Sequence, residues 1–285
     1  MDSGDVISLI KGNLETFSKR QRLIAEYILK NFDKAAFMTA AALGKEIGVS
    51  ESTVVRFASE LGFDGYQKLQ KSLREFTVKK STAVQRMEIA SRQIDEENIL
   101  SSVLKADIGN MIKTLEDVDE ERFGKAVDAV MEAENIYIMG VRSSSALSAF
   151  AGFYFNLLFE NTHVIRSNSA ADIFEQLLRV KRGDVVIGMS FPRYSRNIKT
   201  AMEYAKKQGA TVIGITDNIN SPVVKCTDYY MIARSSMESF ADSLVAPMSV
   251  INAFIVALGM RKKNEMKHVF ERLEHIWDEY EVYNK

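Results

Sequence analysis

The sequence predicts an all-α N-terminal domain followed by a doubly wound α/β domain on a five-stranded parallel sheet. Three observations carry this. Apolar side chains in the first 80 residues recur only at helical spacings. After about residue 106, short runs rich in β-branched residues alternate with helical stretches. Those runs are apolar throughout, as in strands covered on both faces of a parallel sheet.

At 285 residues the chain is long enough for two ordinary domains. A composition of 46% hydrophobic and 26% charged residues excludes a disordered chain, a collagen-like repeat and a small disulfide scaffold. Only three prolines occur, which argues against a Pro-rich linker. The single cysteine, Cys226, cannot form an internal disulfide and fits a reducing compartment. The N-terminus, MDSGDVISLIKGN, is acidic and lacks a long apolar core, so no secretory signal is expected. The most apolar stretch, 244–260, is interrupted by Pro247, Ser249 and Asn252 and reads as a buried helix. A cytoplasmic location with no membrane partner is expected. Residues 1–82 hold 13 Lys+Arg and 10 Asp+Glu, the remainder 24 and 28. This asymmetry permits nucleic-acid binding at the N-terminal end without identifying it.

In the first domain, 1–80, Leu23, Ile24, Tyr27, Ile28 and Phe32 mark one long amphipathic helix capped by Ser18. A shorter helix over roughly 39–47 carries the pair Leu43 and Ile47 and stops at Gly48, as at a C′ glycine. A third begins after the N-cap Ser50, with inner face Val54, Phe57, Ala58 and Leu61, and ends at Gly62. A fourth follows Asp64 with Tyr66, Leu69 and Leu73. Residues 81–105 read as a partly helical connector to the second domain, 106–285. There, strands are expected at 135–141, 162–166, 184–189, 211–216 and 229–233.

The segment ALGKEIGVSESTVVRFASELGF has the helix, glycine turn and second helix of a helix-turn-helix. Leu43, Ile47, Val49 and Val54 would form the shared core, and Gly44 would let the helices approach. A recognition helix starting at Ser50 presents its leading residues to base edges in the major groove. Glu51, Ser52, Thr53, Val55 and Arg56 avoid the inner face. Hydroxyls bond to bases or phosphates, and Arg is the commonest donor to guanine. The DNA-facing set is therefore Ser50, Ser52, Thr53, Arg56 and, on the fourth helix, Lys68, with double-stranded operator DNA as partner. The helical pattern equally fits a plain bundle, with Arg56 paired to Glu60 on a solvated face.

VSESTVVRFASELGFDGYQKLQKSLREF resembles the N-terminal domain of the RpiR family of bacterial transcription regulators. There a VS-x-x-TVVRF-x-x-x-LGF-x-G(Y/F) string follows a helix of the LA-x-x-x-G type. Val49, Ser50, Thr53, Val54, Val55, Arg56, Phe57, Leu61, Gly62, Phe63, Gly65 and Tyr66 stand in that pattern, and Gly44 replaces a more usual alanine.

Two strand-to-helix junctions are candidate anion sites. In IYIMGVRSSSALSAFAGFYF, Ser143, Ser144 and Ser145 stand at a helix start; in DVVIGMSFPRYSRNIKTAMEYA, Ser190 and Ser195 flank a loop. A helix N-terminus offers unpaired N–H groups and a positive dipole end. Both loops fall beyond the carboxyl ends of strands, where ligands of open α/β sheets bind. Ordinary helix capping explains single serines equally well.

Residues 122–262 resemble the SIS domain, a phosphosugar-binding α/β module of sugar isomerases and of RpiR-type regulators. Gly140, Ser143 and Ser144 match its first loop, often G-x-G-x-S. GDVVIGMS and GATVIGITDNINSPV match the second and third βα units, and Ser190 and Ser195 align with hydroxyls of its S-x-S-G-x-T phosphate loop. Arg142 stands where glycine is common, and Pro192 and Arg193 replace the Ser-Gly pair. Pro192 has no N–H, and Arg193 is less free than glycine to turn left-handed. The loop is therefore not expected to bind phosphate wholly through backbone amides; FPRYS resembles a variant of this loop within RpiR-like regulators. The resemblance implies an effector set of Arg142, Ser143, Ser144, Ser190, Arg193 and Ser195. The two arginines would give charge-assisted bonds to a phosphate or carboxylate, or else form outward salt bridges. Ser239, Asp242 and Ser243, on the stretch that closes the pocket or joins a dimer in SIS proteins, are further polar candidates or caps.

No catalytic residue, metal or cofactor is expected. A sugar-phosphate isomerase needs a general base and often a histidine. His163 opens a strand, and His268 and His275 lie on a charged C-terminal helix. Nothing singles out Glu175 or Glu238 as a base, and no His/Cys cluster has metal-ligand spacing. The expected function is a DNA-binding regulator of carbohydrate metabolism whose operator affinity responds to a phosphorylated or acidic sugar. Pairing as a homodimer or homotetramer is expected through helices near 145–160 and 245–275. A sugar-phosphate isomerase and a sugar-phosphate-binding protein without DNA affinity remain the alternatives.

Overall fold

The computed structural model describes residues 6–80, 98–235 and 241–283. The chain divides into two compact units, residues 1–92 and 93–285.

The first unit is helical: α1 (Val6–Gly12), α2 (Lys19–Lys30), α3 (Phe32–Ala35), α4 (Ala40–Ile47), α5 (Glu51–Glu60) and α6 (Tyr66–Lys80). Gln21 accepts the Ser18 backbone N–H at 2.8 Å and fixes the start of α2. The single long helix expected there breaks at Asn31, where φ is −133°, and Phe32 restarts the chain as α3. Leu23, counted on the inner face, is 45% exposed, whereas Ile24 and Ile28 are fully buried. Neighbours in a helix point about 100° apart, so one stripe cannot take both Leu23 and Ile24 to its centre.

Helix α6 closes this unit. Tyr66 and Gln70 donate to the Met38 carbonyl at 2.8 and 2.7 Å, and Arg74 Nε donates to the Ala36 carbonyl at 2.9 Å. Residues spaced by four share one helix face, here aimed at carbonyls left open where α3 ends. Burial pushes the Tyr66 hydroxyl up to about 12, against a smaller opposing effect of Arg74. The folded state thus holds this proton longer than the unfolded chain. The stability it contributes is intact below pH 10 and is lost as pH rises toward 12. Urea unfolding over this range should show a loss of about 1–3 kcal/mol. Tyr66→Phe should reduce the loss; an identical pH profile in the variant would contradict the assignment.

The second unit starts with α7 (Ile99–Glu116) and α8 (Glu120–Met131). Five strands follow: β1 (Ile136–Gly140), β2 (Thr162–Ile165), β3 (Val185–Met189), β4 (Thr211–Thr216) and β5 (Tyr229–Ile232). They form one parallel sheet in the order β2-β1-β3-β4-β5. Between them run α9 (Ser144–Leu158), α10 (Ala170–Gln176) and α11 (Arg196–Lys207); α12 (Val245–Arg261) and α13 (Lys263–Glu279) follow. β1 and β3 are buried along their whole length, between one core that includes α8, α9 and α12 and another that includes α10 and α11. The fold class is as the sequence predicts, with each strand within a residue of its expected bounds. The apolar stretch 244–260 is the core helix α12, burying Ile251, Phe254 and Leu258. Among the described residues no single helix is long and apolar enough to cross a membrane. Residues 81–97 of the expected connector lie outside the described residues, and α7 begins at Ile99, inside the connector's expected range.

Candidate DNA-reading helix and anion crevice

Helices α4 and α5 meet across Gly48, which is left-handed at φ 78°. A Cβ on Gly44 would lie 2.7 Å from the Val49 carbonyl oxygen, so the close approach requires glycine or a backbone shift. Leu43 and Val54 are fully buried in the shared core, with Ile47 and Val49 packed against it. Ser50 caps α5: its Oγ accepts the Thr53 N–H at 3.3 Å and lies 2.8 Å from Thr53 Oγ1 and 3.0 Å from Ser52 Oγ. Thr53 differs from expectation. It is only 7% exposed, its hydroxyl turned back into the cap rather than outward. Glu51, Ser52, Val55 and Arg56 form the exposed leading surface, and Lys68 is exposed on α6. Arg56 Nε donates to the Ser52 carbonyl at 3.3 Å. Glu60, its alternative partner, instead accepts from Gln21 of α2.

In the second unit, β1 and β3 are neighbours whose connections leave in opposite directions along the sheet, which makes their carboxyl ends the topological switch point. Gly140 pairs with Met189 there, so the loops 141–143 and 190–195 start side by side. Gly140 fits because α9 sits almost on it: a Cβ would be 2.4 Å from the Ser144 carbonyl oxygen. Arg142 and Arg193 are both left-handed, at φ 56° and 64°. Arg193 thus takes the left-handed turn that glycine adopts more freely. Each arginine takes a conformation that favours glycine and adds a guanidinium to it. Both are exposed, and among the described residues neither has a carboxylate partner.

The serines divide by role. Ser190 is buried, and its Oγ accepts the Ser195 N–H at 3.1 Å, folding the loop back on itself. Ser195 caps α11. Ser144 is buried and Ser143 exposed. The N–H groups of Ser144 and Ser145 already bond to the carbonyls of Val141 and Arg142, so the start of α9 is less bare than a free helix end. The crevice also has polar residues that the site prediction omitted. Asn168 accepts the Arg142 N–H at 2.9 Å through its side chain and the Asn197 side chain at 3.0 Å through its carbonyl. Tyr194 donates to Asp217 at 2.7 Å and accepts from Asn218 at 3.1 Å. Burial and the Asp217 charge hold the Tyr194 hydroxyl well above the usual tyrosine range. Thr216 donates to the Ser190 carbonyl at 2.7 Å. ITDN was visible in the sequence directly after a strand, which was the signal for Asp217 and Asn218.

Other candidates lie elsewhere. His163 is exposed and stacks on Tyr137, His268 faces Glu271, and Glu175 is exposed on α10. Ser243 donates to Asp107, whereas Glu238 and Ser239 lie outside the described residues. A cavity of about 430 Å³ opens at the opposite, amino edge of the sheet, lined by Asp128, Glu132 and Asp184 among others. Three carboxylates against Lys125 suit it poorly to an anion, and two of them have structural partners: Asp184 accepts from Asn135 and Lys181, and Asp128 pairs with Arg261.

Comparison with known proteins agrees with both halves. The helix-turn-helix domain model of the rpiR family matches residues 4–80, and the SIS domain model matches residues 130–257. An uncharacterised HTH-type transcriptional regulator of Caldanaerobacter subterraneus subsp. tengcongensis is 25% identical over 287 residues, 95% of this chain and 96% of that protein. Another from Haemophilus influenzae is 25% identical over 81% of this chain and 80% of its own length. The sugar isomerase domain of an RpiR transcription factor from Sphaerobacter thermophilus superposes with a TM-score of 0.59 at 24% identity, covering 61% of this chain and 97% of that one. The Vibrio vulnificus NanR protein, solved with ManNAc-6P, gives a TM-score of 0.56 at 19% identity over 96% and 98% of the two chains. An rpiR-type helix-turn-helix and a SIS domain in this order place the chain in the RpiR family of transcriptional regulators.

Proposed function

We propose that this regulator reads operator DNA with the exposed leading surface of α5 and senses a phosphorylated or acidic sugar at the carboxyl ends of β1 and β3. The observation that carries the sensor half is the pair of left-handed arginines, Arg142 and Arg193, one in each loop of the switch point. Such a backbone costs a non-glycine residue about 1–3 kcal/mol and concentrates at ligand sites. Two guanidiniums there suit a phosphate or carboxylate better than a neutral sugar. The ManNAc-6P bound by the Vibrio vulnificus relative supports the phosphorylated class. His163 lies at the amino end of β2, opposite the two loops, and the rpiR-type helix-turn-helix favours a sensor over an isomerase. We place the protein in the cytoplasm, as a homodimer or homotetramer whose two heads engage half-sites about one DNA turn apart.

Thermal-shift screening against sugar phosphates and acidic sugars tests the sensor half. A true effector at 100 times its Kd should stabilise the protein by about 2.7 kcal/mol. A panel in which no anionic sugar stabilises a folded, DNA-binding protein would overturn it.

A further inference from the structure

Helix α7 is amphipathic the wrong way round for a lone molecule. Its polar residues face inward: Asn110 and Thr114 are buried, Thr114 accepts the Arg234 N–H at 2.9 Å, Asp117 pairs with Arg234, and Asp107 accepts from Ser243. Its apolar residues face outward. Leu104 is 53% exposed, Ile108 59% and Leu115 74%, with Met111, Ile112 and Val118 exposed beside them. Leu104, Ile108, Met111 and Leu115 follow one another at steps of four, three and four, the spacing of a helix–helix seam, and Val118 follows just past the helix end.

We propose that this stripe packs against the same stripe of a second copy of the chain, making α7 a dimer helix. The inference rests on the oligomeric reading above and gives it a surface. With Leu100 in the first turn, the stripe exposes several hundred Å² of apolar surface, a large part of the roughly 800 Å² that one side of a standard interface buries. A patch of this size is rarely left to water. A two-fold pair uses the same patch twice, so a self-complementary apolar seam suits it. A lipid surface fits poorly, because Lys105 and Lys113 are offset by Glu116 and Asp117 rather than forming a basic face. The polar edge of α7 holds Arg234 and Ser243, and Ala233 beside them bonds its N–H to the Thr216 carbonyl, next to Asp217 of the crevice. The inner face of α7 is thus tied through Arg234 and Ala233 to the strand end beside the crevice.

Sedimentation equilibrium of the full chain tests this without DNA or effector, so its failure is separate from failure of the regulatory reading. Wild type should show at least twice 32.1 kDa. The double variant Ile108→Glu/Leu115→Glu should fall at least twofold in mass while keeping its circular dichroism spectrum. Should that variant misfold, single cysteines at 104, 108, 111 and 115 in a Cys226→Ser chain give a second readout, with at least one yielding an oxidised dimer. A wild-type monomer, in which the chain's own residues cover the stripe, overturns the proposal. So does an undiminished mass in a folded double variant, or four cysteine variants without a cross-link.

Discussion

Arg56→Ala should weaken operator binding by about 1–3 kcal/mol, the range for losing one good base contact or its equivalent. Arg56 is exposed about midway along α5, Glu60 is occupied by Gln21, and the helix cap is made by Ser50 and Thr53 rather than by the Arg56 side chain. The substitution therefore leaves the helix and its core untouched, and its effect reads out DNA contact. Fluorescence anisotropy on the operator and on scrambled duplex separates two roles. A base contact loses discrimination between the duplexes. A phosphate contact weakens both alike and lowers the salt slope by about 1. Unchanged affinity for both duplexes would remove Arg56 from the interface. Lys68→Ala is expected to behave as a phosphate contact.

Arg193→Ala should weaken effector binding by about 1.5–3 kcal/mol, the worth of a charge-assisted hydrogen bond, or roughly 10–150-fold. Arg193→Gly distinguishes the two contributions of this residue. Glycine keeps the left-handed turn and loses only the guanidinium, so the affinity should still fall while thermal stability holds or rises. If both variants bind effector as wild type does, the arginine faces solvent and the anion sits elsewhere. Arg142→Gly is the matching test in the first loop, where the Asn168 contact to its backbone N–H needs no side chain.

The legible part of this protein was the part written as period and pattern. All five strands were visible because buried parallel strands are short uninterrupted apolar runs, and α4, Gly48 and α5 because a left-handed glycine between two amphipathic segments has few other uses. What stayed hidden depends on direction. Thr53 lies four residues before the buried Phe57, at the border of the inner face, and its short hydroxyl side chain turns back to the cap that Ser50 forms. Arg193 is less free than glycine to turn left-handed, yet it does so, because propensity prices a conformation without the surroundings that impose it. Tyr194, Asp217 and Asn218 converge from two loops 23 residues or more apart, a proximity that sheet order creates and linear spacing does not. The outward stripe of α7 was masked by the neighbouring Lys- and Glu-rich stretch, which reads as connector.

One anionic metabolite and one DNA sequence are expected to feel each other through this chain. Linkage makes that quantitative: the factor by which saturating effector changes operator affinity must equal the factor by which saturating operator changes effector affinity. Measuring both by titration on the same preparation is the most direct test. Equal factors that differ from one are expected, on the order of 5–150-fold for typical coupling. Operator affinity that stays constant while the effector demonstrably binds would contradict it.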